Sequence, residues 1–266
     1  MRGMATEYSS ISKVALALAA GSLVLCGQPP PLHPPDTNAP ASARDAGAEV
    51  DRAMKTNPPI REISPGVLEL GDVRIDKEHR TVSFPARLNL DQGPMEYFLV
   101  TSRGKTHESI LKTDTEPFRI HLAMLLLDTN AGAAAAAGGP PVSAGGFISH
   151  PSKERLPGEE VSIELSWNVN GRETRKAAGE LIFNTEQKSV MRAEDWVYTG
   201  SRVAGGLFLA EMDGSIVSLV TDPAALVNNE GPGHDNDTIW LANTNSLPPT
   251  NTAVEVSIKL KPKTGR

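Results

Sequence analysis

The chain has 266 residues, a net charge of −6, 39% apolar and 22% charged residues, ordinary globular proportions with length enough for one domain around a substantial core. An acidic balance without a basic stripe excludes nucleic acid as an expected partner, because that binding is driven by cations displacing counterions; small, neutral or cationic partners fit better. The 23 glycines and 21 prolines point to a loop-rich fold, and the single cysteine, Cys26, excludes an internal disulfide.

Arg2 and Lys13 precede an apolar run of 13 residues, Val14 to Cys26. The run is too short to span a bilayer and has the length of a signal-peptide core, so residues 1–26 read as an export signal and the protein as periplasmic or cell-envelope. Its end, Leu23-Val24-Leu25-Cys26, resembles a bacterial lipobox, in which cleavage before the cysteine leaves a sulfur carrying diacylglycerol. Leu25 stands where that pattern has Gly, Ala or Ser. Lipidation of Cys26, ordinary cleavage nearby and a retained anchor therefore stay open as links to the membrane. Residues 27–59 include "QPPPLHPPDTNAPASARDAG", which cannot bury enough apolar area to offset its ordering entropy and reads as an extended tether.

The folded domain is expected over residues 60–266. In "TVSFPARL", Val82, Phe84 and Ala86 alternate with Thr81, Ser83 and Pro85 as a strand with one buried face. Asp76 to His79 read as the hairpin turn before it. After the Gly93-Pro94 breaker, "MEYFLV" forms another strand and delivers the chain to "RGKTHESILKT". Thr115 is expected to cap a helix with Glu116 and Pro117 in its first turn and an apolar stripe of Phe118, Leu122, Leu125 and Leu126. His121 lies in that stretch and reads as a satisfied core residue. The run at 129–146, "TNAGAAAAAGGPPVSAGG" with its flanks, reads as a low-complexity surface insertion.

The second half is mainly β. "EEVSIELSWNV" alternates, Asn170-Gly171 is a hairpin pair and "ELIFN" follows; Asp213-Gly214 reads as a second hairpin turn, "DPAALVNN" as a short helix opened by Asp222, and "AVEVSIKLK" as the last strand. The class expected from this order is α+β: mainly antiparallel strands, one well-defined helix and one or two short ones.

In sequence, "GVLELGDVRIDKEHRTVSFPARLN", "GPMEYFLVTSRGKTHESIL", "EPFRIHLAMLLL", "DWVYTGS", "GSIVSLVTDPAALVNN" and "LPPTNTAVEVSIKL" resemble the YdjY-type domain of bacterial exported proteins, over about residues 62–262. The family is uncharacterised, so the resemblance implies a fold and an exported setting and no activity. Some members carry an iron–sulfur label. With its one cysteine at the export signal, this chain is expected to hold no cysteine-ligated cluster.

The candidate polar site is His107, Glu108 and Ser109 with Asn228 and Asn229. His107 and Ser109 are too close in sequence, and too far from any strand–elbow–helix pattern, for a nucleophile–base couple. Glu108 or His107 could serve as an acid or base within a pocket. A divalent metal is the third reading, with His107 and Glu108 joined by His234, Asp235 and Asp237 from "GHDND". Set against these, Asx-rich loops mostly cap and turn the backbone; Trp196 and Tyr198, alternating with Val197 on a strand, could form either core or a ligand platform, with core the reading for Trp196. No nucleotide-loop, dinucleotide or zinc-protease motif is present. The leading expectation is an exported, envelope-tethered, non-catalytic module that binds a protein or small molecule or acts as a scaffold; the alternative is a metal-dependent hydrolase.

Overall fold

The computed structural model describes residues 58–127, 156–169 and 171–262. The export signal with Cys26, nearly all of the tether, and the insertion at 129–146 lie outside the described residues. In chain order the strands are β1 (Arg61–Ser64), β2 (Val67–Leu70), β3 (Val73–Asp76), β4 (Thr81–Leu88), β5 (Tyr97–Thr101) and β6 (Ser109–Thr113), followed by the helix α1 (Pro117–Leu126). Then come β7 (Glu159–Val169), β8 (Arg172–Ala177), β9 (Ile182–Asn184), β10 (Ser189–Val190), β11 (Trp196–Tyr198), β12 (Val203–Ala204) and β13 (Leu207–Phe208). The helix α2 (Leu209–Asp213) leads into β14 (Ser215–Ser218), β15 (Val227–Asn229), β16 (Trp240–Ala242) and β17 (Ala253–Leu260).

Strand pairing runs β4-β17-β7-β11-β15-β14-β5-β6 and returns from β6 to β4, which closes an eight-stranded barrel. The α+β expectation is therefore wrong: the described fold is a β-barrel with two α-helices attached. The helix read from the sequence exists, but its ten residues pack beside β3, β4 and α2 and do not cover an open sheet. Closure hid from the sequence because the closing contact is only two residue pairs, Arg87 with Lys112 and Leu88 with Leu111. It depends also on two parallel pairs, β5 with β6 and β14 with β15, and alternation within one strand says nothing about which strand lies next to it.

The wall is legible residue by residue. Val256 of β17 sits in register between Phe84 of β4 and Leu165 of β7, and Ile258 between Val82 and Ile163. All six are buried, each side chain contributing roughly 1.5–3 kcal/mol of burial. Pro85 interrupts none of this. The Thr113 hydroxyl donates to its carbonyl at 2.6 Å, so its backbone polar edge faces β6, and its missing N–H withholds nothing from β17.

The helices differ from their sequence reading in detail. Glu116 is the N-cap and Pro117 the first helical residue, while Thr115 is buried and donates to Asp72. Ile120, Ala123, Met124 and Leu127 form the buried face, with Phe118, Leu122 and Leu126 half-buried against the core. Asp213-Gly214 is no hairpin turn: Asp213 ends α2 and Gly214, at φ +69°, is its left-handed C-cap. No helix follows Asp222, whose side chain instead accepts the Ala224 N–H at 2.8 Å in an Asx turn. The other two turns are as read, Val169 pairing Arg172 around Gly171 (φ +78°), and Asp76 accepting the His79 N–H at 2.9 Å.

Candidate functional site at one end of the barrel

A single row of register partners crosses five strands: Ser109 of β6 to Tyr97 of β5, Tyr97 to Ser218 of β14, Ser218 to Asn228 of β15, and Asn228 to Val197 of β11. The two polar stretches singled out in the sequence, His107-Glu108-Ser109 and Asn228-Asn229, are therefore brought to the same end of the barrel. They arrive there for a topological reason. Strands β5 and β6 are parallel neighbours joined by residues 102–108 alone, where such pairs ordinarily use a dozen or more.

Gly104 and Lys105 make that short return workable. A Cβ on Gly104 would stand 3.1 Å from the carbonyl oxygens of both Asp213 and Gly214, so the segment lies hard against the chain entering β14. Lys105 then donates through Nζ to Tyr97 Oη at 2.7 Å, and its ammonium is 4.7 Å from the ring centre, within cation–π range. Tyr97 in turn donates to Asp222 Oδ2 at 3.0 Å. Burial, and then the Asp222 carboxylate, hold the Tyr97 phenol above its ordinary value, so it remains a donor. The segment ends in a 3₁₀ turn over Thr106–Glu108, held by the Asn89 amide, which donates to the carbonyls of Thr106 (2.6 Å) and Ser109 (2.8 Å).

The other nominated residues serve the backbone. Ser109, fully buried, donates to the Leu111 carbonyl at 2.8 Å. Asn228 accepts the Asp222 N–H at 2.7 Å and donates to Thr199 Oγ1 at 3.0 Å. Asn229 donates to the Leu219 carbonyl at 2.9 Å and accepts the Gly231 N–H at 2.8 Å. All three do what buried polar groups must: find partners inside the fold.

His107, Glu108 and the "GHDND" loop are more open. The His107 side chain is 78% exposed, its Nε2 3.6 Å from Glu108 Oε2. His234 pairs through Nδ1 with Thr221 Oγ1 at 2.7 Å, and Asp235 and Asp237 are exposed. Glu96, a residue the sequence reading passed over, lies within electrostatic reach of both stretches. Its backbone N–H donates to the Glu108 carbonyl at 3.0 Å. Partial burial first, then the charges of Glu108 and Asp237, hold its carboxyl above the ordinary value, against the opposing pull of Lys105 and His107. Among the described residues no three His, Cys, Asp or Glu side chains gather closely enough to hold a metal ion. The result is an acidic rim of Glu96, Glu108 and Asp237, with Lys105 as its cation and His107 beside it.

A second buried polar pair lies under α1. His121 is 8% exposed, with Nδ1 2.7 Å from Tyr198 Oη and its ring 5.0 Å from Phe208. Burial lowers the His121 pKa to about 4 and raises that of Tyr198, so a neutral imidazole and a neutral phenol share this hydrogen bond. Trp196 and Tyr198 are both fully buried, as is Val197 between them, so both are core residues and neither is a ligand platform.

Of the residues that organise this end, Lys105, Tyr97, Glu96 and Asp222 were missed. Lys105 was in plain view inside "GKTHES", but only the short parallel crossover gives it a partner on β5. A family model described as the YdjY domain matches residues 73–259, within the span of the resemblance seen in the sequence. No curated protein and no solved structure matches the chain.

Proposed function

The chain belongs to the YdjY domain family, and from that premise we propose that it is an exported, envelope-tethered module that binds a partner and performs no chemistry of its own. One observation carries the reading. The buried polar groups of the stretches that looked most like chemistry are spent on the fold: Ser109 on a strand carbonyl, Asn228 and Asn229 on the turns around β15, with Lys105 bonded to Tyr97. Ser109 has no exposure to a substrate, and what this end turns to solvent includes the acidic rim of half-buried Glu96 and Glu108 and exposed Asp237, from three segments, beside exposed Lys105 and His107. Such a rim suits a cationic group on a partner. The apolar run Val14 to Cys26 and the proline-rich stretch after it support export and tethering.

A C-terminal alkaline phosphatase fusion to the full chain tests export: activity in cells, abolished by deleting residues 1–26, is expected, and an inactive cytoplasmic fusion would sink the reading. Mass spectrometry of the mature N-terminus distinguishes a diacylglyceryl Cys26 from simple cleavage. The alternative reading, a metal-dependent hydrolase using His107, Glu108, His234, Asp235 and Asp237, has against it that no three such side chains gather closely enough for an ion among the described residues. Metal content of the purified chain decides it: stoichiometric metal lost in both His107→Ala and Glu108→Ala would replace the binding module with that enzyme.

A further inference from the structure

The sheet forks at β4. Thr81, Val82 and Ser83 pair with β3, Arg87 and Leu88 pair with β6, and the residues between have no strand on that edge. A groove of about 280 Å³ opens there, with exposed Pro85 and Ala253 on its apolar side, buried Ala86 and Val254 behind them, and Arg87 and Lys112 among its polar lining. We propose that this groove binds a small organic oxyanion, a carboxylate or phosphate ester with a short aliphatic tail.

Arg87 and Lys112 are direct cross-strand partners, a placement in which like charges repel. Neither side chain makes a hydrogen bond or ion pair among the described residues. Two carboxylates share the lining and oppose an anion there, but neither forms an ion pair with Arg87 or Lys112. Asp72 accepts from the Thr115 hydroxyl and from Arg119 at 3.3 Å, and Asp114 accepts from the Ser102 hydroxyl at 2.6 Å. An incoming oxyanion gains the guanidinium fork and the ammonium together, and its tail gains the apolar wall. The volume sits at the small end of ligand pockets, about 300–1,000 Å³, which limits the occupant to a few heavy atoms beyond its charged head. No groove residue belongs to the acidic rim, so this site stands or falls independently of the reading above.

Calorimetric titration of the full chain with hexanoate, hexyl phosphate and hexanol tests it. Saturable binding of at least one anion is expected, with none of hexanol, and with at least a tenfold loss of affinity in Arg87→Gln and in Lys112→Gln. Preference for one anion over the other identifies the head group. Removing either cation relieves repulsion, so the unliganded variants are expected to melt at or above the wild-type temperature. That melting curve separates lost binding from lost folding, and Lys112→Gln decides alone where Arg87→Gln does not fold. Absence of saturable binding by both anions, equal binding of hexanol, or unchanged affinity in the folded variants would overturn the proposal.

Discussion

Lys105 and Tyr97, eight residues apart in sequence, are joined twice: the ammonium donates to the phenolic oxygen at 2.7 Å and stands 4.7 Å from the ring centre. This contact fastens the seven-residue return between two parallel strands to the strand it has just left. Tyr97→Phe removes the acceptor for Lys105 and the donor for Asp222, and is expected to destabilise by about 1–3 kcal/mol. Lys105→Met, at an exposed position, is expected to cost less than about 1 kcal/mol. Denaturant titration of the double-mutant cycle checks the link: a coupling of about 0.5 kcal/mol or more is expected, and strict additivity would mean that the contact holds nothing.

Gly214 is constrained by both space and conformation. It adopts φ +69°, and a Cβ would lie 2.3 Å from Thr101 Oγ1 and 2.9 Å from Gly104 Cα. Gly66 adopts φ +76° with nothing within 4 Å, which isolates the conformational cost, roughly 1–2 kcal/mol. Gly214→Ala is therefore expected to cost clearly more than Gly66→Ala. Equal losses in unfolding free energy would show that the close approach of the return segment to β14 is not tight.

Stability should depend on pH through His121. Its folded pKa of about 4 lies below the ordinary value near 6.5, so on acidification the unfolded chain takes up the proton first. The contribution is complete above about pH 6.5, is lost as the pH falls, and reaches a loss on the order of 3 kcal/mol by about pH 4. Glu96, Glu211 and Asp213, whose carboxyls burial holds above their ordinary values, act in the opposite sense and stabilise as they protonate. The informative quantity is therefore the difference between wild type and His121→Gln in urea midpoints from pH 7 to pH 4. A difference that does not change with pH would show that His121 is not held neutral.

Two neighbouring nominations should part company under mutation. His107 is exposed and bonded to nothing closer than Glu108 at 3.6 Å, so His107→Ala is expected to change stability by less than about 0.5 kcal/mol. Asn229 is fully buried with donor and acceptor both engaged; Asn229→Ala leaves the Leu219 carbonyl and the Gly231 N–H unpaired and is expected to cost about 1–3 kcal/mol. Thermal or chemical unfolding compares them directly. A larger loss for His107→Ala would reverse the assignment of fold-holding and exposed residues at this end.

Much of the local order was legible. Strands β4, β7 and β17 show their buried faces as period-two alternation, the turns at Asp76 and Gly171 carry their usual residues, and Pro117 marks the start of α1, because each of these signals is set by neighbours in the chain. Asp213-Gly214 misled because a left-handed glycine serves a helix C-cap as well as a hairpin, and the pair alone does not say which precedes it. Asp222 misled similarly, since an Asx turn and a helix N-cap begin with the same side-chain bond. In the candidate site, Ser109, Asn228 and Asn229 were visible as unusual polar residues beside apolar runs, but whether they act outward or inward depends on burial.

By itself the sequence determined the family, the longest strands and the stretches that meet at one end of the molecule, all consequences of residue type and short-range spacing. Tertiary structure decided the rest. It closed the sheet into a barrel through two residue pairs at Arg87 and Leu88, gave Lys105 its partner, gathered Glu96, Glu108 and Asp237 into a rim, and left Arg87 facing Lys112 across a groove. Each of these depends on which distant strand lies alongside which, and that is settled by the burial of many apolar side chains at once, a sum to which no single stretch of sequence gives access.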